Sequence, residues 1–590
     1  MTSAATPKRS APPRLARLPL RGLLRINPAA DMWHKPALSV VVALAIPNLL
    51  LLASGRLDLG IYASAGALCA LFAHGLPYAA RARMLAGIVV GMLTGLAAAL
   101  VVASVTDSTA VHIVAAGLLA GLQKVVTDAA RTGPPGSLIF TFVSSSAVFA
   151  PQQLSDVPAH LALAIAGGVL AWLVCMAPAL VRPHGPERIA VARALEAAAR
   201  LCGEPAEAPQ HVRHAAAAVH GAWQNLTLVP VRSGSQLARR RALERLLLRA
   251  ETAVAAEPGS APGAVPGEQE LSAWARALRR GKEVPEVRSD AGERSELVGV
   301  DADLAIADPP RGRAAHTWWR RFGALLRPGA PLAPVGARVA VGSVIAGFVS
   351  LGAGVGHPYW AIVTVAAVCQ TNLRITWTRA VQRAIGTFAG LLIFTAIAPM
   401  TRSSQLVLVL AFLTFQFGTE ATITRNYWLG SVFVTSMALL ITTFTQSQPT
   451  GELVVDRWID TCVGVVVGVL SSMLVTNRRA TDRIDEALEK VDRAQGEVRS
   501  LTNGDDAGLG RQRSAGKRLV AALVELRDAV NTATGEWWQR ALPQERILHA
   551  ERDGHAALGD LVLYFSPRPR SAGGDATAIR DAGEVGGKTR

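Results

Sequence analysis

Residues 84–105, MLAGIVVGMLTGLAAALVVASV, form a continuous stretch without a single charged side chain. The hydrocarbon core of a bilayer is about 30 Å thick, so about 20 mostly apolar residues in a helix are enough to span it. A backbone inside lipid must satisfy its own hydrogen bonds, and an α-helix does so within one segment. The stretch therefore predicts a membrane-spanning helix.

Eleven further apolar segments accompany this one, in two groups separated by a polar region. The first group also contains 36–54, 60–76, 110–127, 136–151 and 158–181, and the second contains 334–354, 357–373, 384–400, 404–419, 427–446 and 456–476. None shows the two-residue alternation that is typical of a strand in a barrel. The sequence therefore predicts an all-α, polytopic membrane protein with two groups of about six transmembrane helices.

The composition excludes several classes of protein. Apolar residues make up 50% of the 590 residues and charged residues 18%, against about 25% charged residues in an ordinary soluble domain. These values exclude an ordinary soluble enzyme, a disordered chain and a disulfide scaffold. The five cysteines include no Cys-x-x-Cys pair, and the histidines lack the spacing of metal ligands. We therefore predict no metal site and no cofactor.

Basic residues are concentrated in alternate connections between the predicted spans. Examples are Arg81 and Arg83 after the second span, and Arg478 and Arg479 after the last. Because cytoplasmic loops carry an excess of Lys and Arg, both termini and the region between the two groups are predicted to be cytoplasmic. The net charge of +16 is then explained by orientation and by anionic lipid headgroups. The lipid bilayer is the predicted partner, and nucleic acid is not.

Landmarks recur in the two apolar groups. Tyr62 precedes Gly87 by 25 residues, and Trp360 precedes Gly386 by 26. This register predicts two parallel repeats of about six helices, an arrangement that is common in transporters and places the substrate path at the repeat interface. Small residues four apart let helices approach closely. The glycines predicted to pack helices in this way are Gly87, Gly91, Gly386, Gly390, Gly464 and Gly468.

Polar regions divide the chain further. The predicted divisions are a basic cytoplasmic N-terminus (1–35), the first transmembrane repeat (36–181), a cytoplasmic helical region with disordered loops (182–333), the second transmembrane repeat (334–476), a second cytoplasmic helical region (477–566) and a disordered tail (567–590). We expect the two cytoplasmic regions to pack together as one helical domain, because both follow the last span of a repeat.

One motif in the second group is similar to that of a known family. Residues 356–372, GHPYWAIVTVAAVCQTN, are followed by Arg379 and Arg383 and then by Gly386, Thr387 and Gly390. This pattern resembles the fusaric acid resistance family, which includes aromatic acid exporters. The resemblance covers 334–476 well and the first group more loosely. It implies a multi-pass protein of the bacterial plasma membrane that exports aromatic carboxylates.

An aromatic carboxylate requires a cationic or amide partner, which makes certain polar residues candidates for the substrate path. Arg379 and Arg383 are four residues apart, hence on one face of a helix, and a guanidinium group is suited to a carboxylate. The alternative is that they anchor the helix end at lipid headgroups. Gln370 and Asn372 either face the path or cap helix ends. Arg425 is also a candidate, with a mutual ion pair to Glu420 as its alternative role.

Two acidic residues are candidates for proton coupling. Glu420 lies at the end of the tenth predicted span, and Asp460 lies near the start of the last. Charged groups near lipid usually pair or line water, so Asp460 is expected to cap a helix or to pair with Arg457 rather than to carry protons. We expect Tyr359, Trp360, Tyr427 and Trp428 to form aromatic belts at the membrane interface.

The function predicted from these features is efflux of small organic anions, in particular aromatic carboxylic acids. The chain lacks the sequence motifs of a P-loop, a Rossmann fold, a zinc protease and a serine hydrolase, so no enzyme activity is predicted. The alternatives are an anion channel and a non-transporting membrane scaffold that recruits partners through its cytoplasmic helices. Substrate identity, energy source, and assembly as a homo-oligomer or with an accessory subunit stay open.

Overall fold

A computed structural model of the protein describes residues 22–28, 31–203, 209–231, 233–255, 266–281, 283–287, 332–370, 372–444, 449–474, 480–502, 509–534 and 543–565. These residues form helices joined by turns, and no strand occurs among them. The predicted all-α fold is therefore confirmed. The predicted tail from residue 567 and all of 288–331 lie outside the described residues.

The first apolar half, residues 34–181, contains seven α-helices. They are α1 His34–Ala53, α2 Gly60–Ala67, α3 Tyr78–Val105, α4 Thr109–Ala129, α5 Ser137–Val148, α6 Val157–Met176 and the short α7 Pro178–Val181. Two 3₁₀ turns, Leu57–Leu59 and Leu68–Leu71, extend α2 at both ends. Long apolar stretches with few charged residues favour these helices because each backbone group bonds within its own segment.

The second apolar half, residues 333–474, contains six helices. They are α12 Ala333–Gly352, α13 Tyr359–Val368, α14 Leu373–Ser403, α15 Gln405–Ile423, α16 Tyr427–Thr442 and α17 Thr450–Leu474. Asn372 caps α14, and its side-chain oxygen accepts a hydrogen bond from the backbone N–H of Ile375 at 2.9 Å. Asn426 caps α16 in the same manner through the N–H of Trp428.

Seven of the described helical segments are long and apolar enough to cross a membrane, and four more are apolar but shorter. The shorter segments are Leu57–Leu71, Ser137–Val148, Tyr359–Val368 and Tyr427–Thr442. Every predicted apolar segment contains a helix, but four of them are too short to span about 30 Å of hydrocarbon alone. Twelve complete crossings are therefore not confirmed, and the parallel repeat stays a prediction.

The two apolar halves pack against each other in one compact unit, which comprises Met1–Pro186, Pro310–Glu486 and Arg527–Pro543. Close approach at glycine joins α4 to α12, since a Cβ atom added at Gly121 would lie 2.8 Å from the carbonyl oxygen of Gly336. The short α2 lies against α6, where Gly167 contacts the carbonyl oxygen of Ala63. Small residues thus bring backbones together where lipid supplies no hydrophobic driving force.

The second compact unit comprises Glu187–Pro309, Ala487–Leu526 and Gln544–Arg590. Its helices are α8 Gly185–Gly203, α9 Pro209–Thr227, α10 Gly234–Ala255, α11 Glu268–Arg279, most of α18 Ala480–Thr502 and α19 Leu509–Thr534, and α20 Gln544–Phe565. Arg513 places its guanidinium 4.6 Å from the ring centre of Trp223, and Arg213 pairs with Glu551 at 3.5 Å. Both polar regions of the sequence therefore contribute to this single helical unit.

Candidate functional site

Among the buried arginines of the second apolar half, Arg383 and Arg457 lie close enough for their charges to interact. Arg383, on α14, is 2% exposed, and Arg457, on α17, is 1% exposed. Moving a charged group out of water costs several kcal/mol, so such groups normally have hydrogen-bonded partners. The Nε of Arg383 and both Nε and Nη1 of Arg457 are buried and have no hydrogen-bond partner among the residues that the structure describes. These unpaired donors distinguish the cluster from an ordinary structural ion pair.

Arg457 lies against an aromatic pair at the start of α13. Its Cζ atom is 3.7 Å from the centre of the Trp360 ring, and the Tyr359 ring stacks beside Trp360 with centres 4.9 Å apart. The negative face of an indole ring attracts a guanidinium, and this attraction offsets part of the cost of its burial. The ring cannot accept hydrogen bonds from the edge of the guanidinium, so those donors stay available.

Asp460 lies one helical turn after Arg457 and is fully buried. Its Oδ1 accepts a hydrogen bond from the Ser350 hydroxyl at 2.5 Å, and its Oδ2 has no partner. The expected ion pair with Arg457 is wrong, since no ion pair within 4 Å joins these two described residues. Asp456 is also engaged elsewhere, because its Oδ2 contacts Nδ1 of His357 at 3.1 Å.

Arg457 nevertheless lies close enough to other polar groups for their charges to interact. These groups are Arg383, Asp460, Tyr359 and Tyr427. With both arginines and the aspartate ionised, this set carries two positive charges and one negative charge. A ligand with a single negative charge would balance the set, and the unpaired N–H groups would bind its oxygens.

The predicted pair Arg379 and Arg383 is divided between two environments. The Arg379 guanidinium lies 4.7 Å from the centre of the Tyr427 ring and is half-buried, whereas Arg383 is enclosed. Arg379 thus lies nearer to the outside of the bundle than Arg383. Arg457 was not among the substrate-path candidates, although it stands in an apolar span as Arg383 does. A basic residue inside a predicted span was the signal that would have identified it.

The predicted aromatic belt is wrong for Tyr359 and Trp360, which are 7% and 1% exposed inside the protein. Both rings are enclosed because α13 is too short to reach from one interface to the other and packs instead against α17, α12 and α5. Tyr427 and Trp428 are half-buried. The aromatic residues of α13 therefore line the interior, where they contact Arg457.

Other predicted path residues have local structural roles. The Gln370 side chain donates to the carbonyl oxygen of Ala367 at 3.3 Å, and Asn372 caps α14. Two roles were considered for these amides, facing the substrate path and capping a helix end. The contacts of both amides match capping. Arg425 is exposed and Glu420 is half-buried, and no ion pair within 4 Å joins these two described residues. The structure therefore does not bring Arg425 or Glu420 into the buried cluster.

A segment near the N-terminus reaches the same region, which the sequence did not predict. The Gln382 amide donates to the carbonyl oxygen of Leu23 at 2.7 Å and to the side-chain oxygen of Asn426 at 2.8 Å. Asn426 also donates to the carbonyl oxygens of Leu23 and Arg25. The residue adjacent to Arg383 thus holds residues 22–28 against the second apolar half.

The predicted packing glycines differ in their surroundings. A Cβ atom added at Gly386 would lie 2.5 Å from the carbonyl oxygen of Trp428, and one at Gly390 would lie 2.5 Å from that of Val432. Gly464 is equally close to Thr364, while Gly91 and Gly468 have only ordinary contacts. The packing role predicted for Gly87 is wrong, because it is exposed and a Cβ atom there would meet no atom within 4 Å.

Comparison with known proteins places the match in this same half. Residues 344–471 match the family model described as fusaric acid resistance protein-like. An uncharacterised membrane protein of Bacillus subtilis (strain 168), YvaC, is 32% identical over 191 residues, which cover 32% of this chain and 29% of that protein. An uncharacterised protein of Synechocystis sp., slr1298, is 25% identical over 188 residues, covering 32% of this chain and 23% of that protein.

The chain thus spans less than a third of the length of each of these relatives. No solved structure matches it. The matched residues contain α13, α14, Trp360, Arg383 and Arg457, and with the apolar helices they identify a multi-pass membrane protein. Residues 344–471, and the buried arginine cluster within them, are accordingly a fusaric acid resistance protein-like region.

Proposed function

We propose that this chain transports small organic anions across the bacterial plasma membrane and that aromatic carboxylates are the preferred class, moved outward. The observation that carries the proposal is the presence of two buried guanidinium groups, each with at least one buried N–H donor that has no partner among the described residues. An empty site that keeps donors unpaired is unfavourable for stability, and a bound anion would remove that cost.

The chemistry of the cluster matches this class of ligand. Arginine binds planar carboxylates through two parallel hydrogen bonds, and it keeps its charge in an apolar environment better than other basic residues. Trp360 and Tyr359 provide aromatic surface beside Arg457. The membrane-spanning helices and the resemblance of residues 344–471 to fusaric acid resistance proteins support transport over a purely structural role.

The test is transport of radiolabelled benzoate by the purified chain in proteoliposomes. We expect Arg457→Gln and Arg383→Gln each to lower the initial rate at low benzoate concentration by about 10- to 100-fold, because a hydrogen bond to a charged group contributes about 1.5–3 kcal/mol. Arg374→Gln is the matched control, since Arg374 is an exposed arginine on the same helix α14. This control should transport at the rate of the unmodified chain.

Unchanged transport in both Arg457→Gln and Arg383→Gln, at equal amounts of protein in the membrane, would contradict the proposed site. Absence of transport in the unmodified chain for a panel of aromatic carboxylates would contradict the function. In that case the non-transporting scaffold becomes the better explanation, and its cytoplasmic helices should capture a partner.

An anion channel is the second candidate, and the buried charge imbalance of the cluster is equally compatible with it. The two candidates differ in energetics, because a channel only dissipates a gradient. Accumulation of benzoate against its own gradient when a proton gradient is imposed would exclude the channel. If Glu420 or Asp460 couples protons, Glu420→Gln or Asp460→Asn should abolish this accumulation while downhill flux continues.

A further inference from the structure

A cavity of about 390 Å³ lies in the first apolar half, apart from the buried arginines. Its lining includes Tyr62 from α2, Phe142, Ser146 and Ala147 from α5, and His160 from α6. This volume falls within the range of about 300–1,000 Å³ that is typical of sites for small molecules. Most of the lining is apolar, with a few polar groups at one end, as in a built binding site.

The polar end is organised around a stacked pair of rings. The rings of Tyr62 and His160 lie face to face, with centres 3.7 Å apart and planes inclined by 9°. The Tyr62 hydroxyl donates to the side-chain oxygen of Gln152 at 3.3 Å, and Nδ1 of His160 contacts the same oxygen at 3.1 Å. A single amide oxygen therefore holds both rings in place.

In these contacts the side-chain donors of the lining are already bonded, whereas its acceptors keep lone pairs for a ligand. Because Nδ1 of His160 donates to Gln152, Nε2 of the neutral ring carries a lone pair. The Ser146 hydroxyl donates to the carbonyl oxygen of Val143 at 3.1 Å, so its oxygen, like that of Tyr62, retains acceptor capacity. Asp58, which also lines the cavity, pairs through Oδ1 with Nε of Arg56 at 3.5 Å, and its carboxylate oxygens only accept.

We propose that this cavity is a second binding site, for a small uncharged aromatic molecule that carries an O–H donor, the phenol class. A phenol can donate to the acceptors of the lining and place its ring against Phe142, whereas a carboxylate anion has no hydrogen to donate to them. The site thus differs from the arginine cluster, where guanidinium donors are unpaired. It does not depend on the function proposed for that cluster.

The cavity lies near the arginine cluster but is separate from it. The Phe142 ring, which lines the cavity, lies 6.2 Å from the Trp360 ring, and Arg457 lies on Trp360. A molecule in the cavity would therefore be separated from Arg457 by these two aromatic side chains. Occupancy of the cavity can be measured independently of any transport.

The experiment is ligand-observed ¹⁹F NMR with the full chain in lipid nanodiscs and three probes of equal ring size. The probes are 4-fluorophenol, 4-fluoroanisole, which lacks the donor, and 4-fluorobenzoate, which is an anion. Empty nanodiscs correct for partition into lipid. We expect saturable line broadening for 4-fluorophenol that exceeds that of the other two probes.

Two variants assign the binding to the cavity. Ala147→Trp fills it from α5 and should abolish the saturable broadening, whereas Ala86→Trp, on the exposed face of α3, should leave it unchanged. Tyr62→Phe removes one hydroxyl and should weaken 4-fluorophenol binding by about fivefold, because a neutral hydrogen bond contributes about 1 kcal/mol. This conservative variant keeps the test decisive if Ala147→Trp does not fold.

Equal broadening of 4-fluorophenol by Ala147→Trp and the unmodified chain would overturn the proposal, and so would a preference of the cavity for 4-fluorobenzoate. If 4-fluoroanisole binds as tightly as 4-fluorophenol, the site does not recognise an O–H donor, and the assignment to the phenol class is overturned. Loss of benzoate transport in the arginine variants has no bearing on these outcomes.

Discussion

The two apolar halves of the molecule each contain an aromatic residue on their short second helix that stacks on a basic side chain of their last long helix. In the first half Tyr62 of α2 stacks on His160 of α6. In the second half the Arg457 guanidinium of α17 lies over the Trp360 ring of α13. This correspondence agrees with the predicted parallel repeat, which itself stays a prediction. The halves differ in the hydrogen bonding of the buried arginines Arg81, Arg383 and Arg457.

In the first half, the buried arginine has hydrogen-bond partners. Arg81 is 3% exposed, and its guanidinium donates to the carbonyl oxygens of Ala73, His74 and Cys175. In the second half, Arg383 and Arg457 are as deeply buried but keep unpaired donors. The comparison shows that burial of an arginine does not identify its role. Unpaired donors, rather than burial, distinguish Arg383 and Arg457 from Arg81.

The largest expected difference between the halves is in stability, measured by replacing these arginines with methionine. Arg81→Met should lower the stability by at least about 2 kcal/mol, because each buried carbonyl left without a donor costs about 1–3 kcal/mol. Arg457→Met should change the stability little or increase it, since an apolar side chain replaces an unpaired buried charge. Apparent melting temperatures in detergent, followed by tryptophan fluorescence, provide the measurement.

Arg81→Lys is the control, because lysine keeps the positive charge without the planar guanidinium that donates to three carbonyl oxygens. The stability of this variant should lie between that of the unmodified chain and that of Arg81→Met. If Arg457→Met loses as much stability as Arg81→Met, then Arg457 has a structural role and the proposed distinction between the halves fails.

A smaller difference is expected at the glycines. Gly386→Ala should destabilise the chain by about 1–3 kcal/mol, because a Cβ atom there meets the backbone of α16. Gly87→Ala should instead stabilise it by about 0.5–1 kcal/mol, since the added methyl group restricts the unfolded chain and meets nothing. Melting temperatures that move in the same direction for both variants would show that the two glycines have equivalent roles.

The smallest expected effect concerns the start of the long helix that follows each short one. The helix α14 has a side-chain cap at Asn372, whereas Pro77, which precedes α3, provides none. Asn372→Ala should cost about 1 kcal/mol, and Asn372→Asp should retain most of the stability, because a carboxylate oxygen also accepts from the Ile375 N–H. A transport defect in Asn372→Asp that exceeds its loss of stability would favour a role in the substrate path over capping.

The sequence by itself determined the helical fold class, the positions of the apolar helices and the family of residues 344–471. These properties depend on local composition, because an uncharged stretch in lipid can satisfy its backbone only as a helix. Spacing along the chain also identified Arg383 as a candidate, and it left capping of a helix and facing the path as the two alternatives for Asn372.

Only the tertiary structure decided which of these polar residues are enclosed and which have partners. Trp360 was expected at an interface, yet α13 packs among α12, α17 and α5 and its Trp360 ring is buried against Arg457. Gly87 and Gly386 share the same four-residue motif, but only the second faces a neighbouring backbone. The same holds for the acceptor-lined cavity around Tyr62 and His160, whose residues are nearly 100 positions apart in the chain. Burial and hydrogen-bond satisfaction depend on which helices meet, and that information is not contained in any one segment.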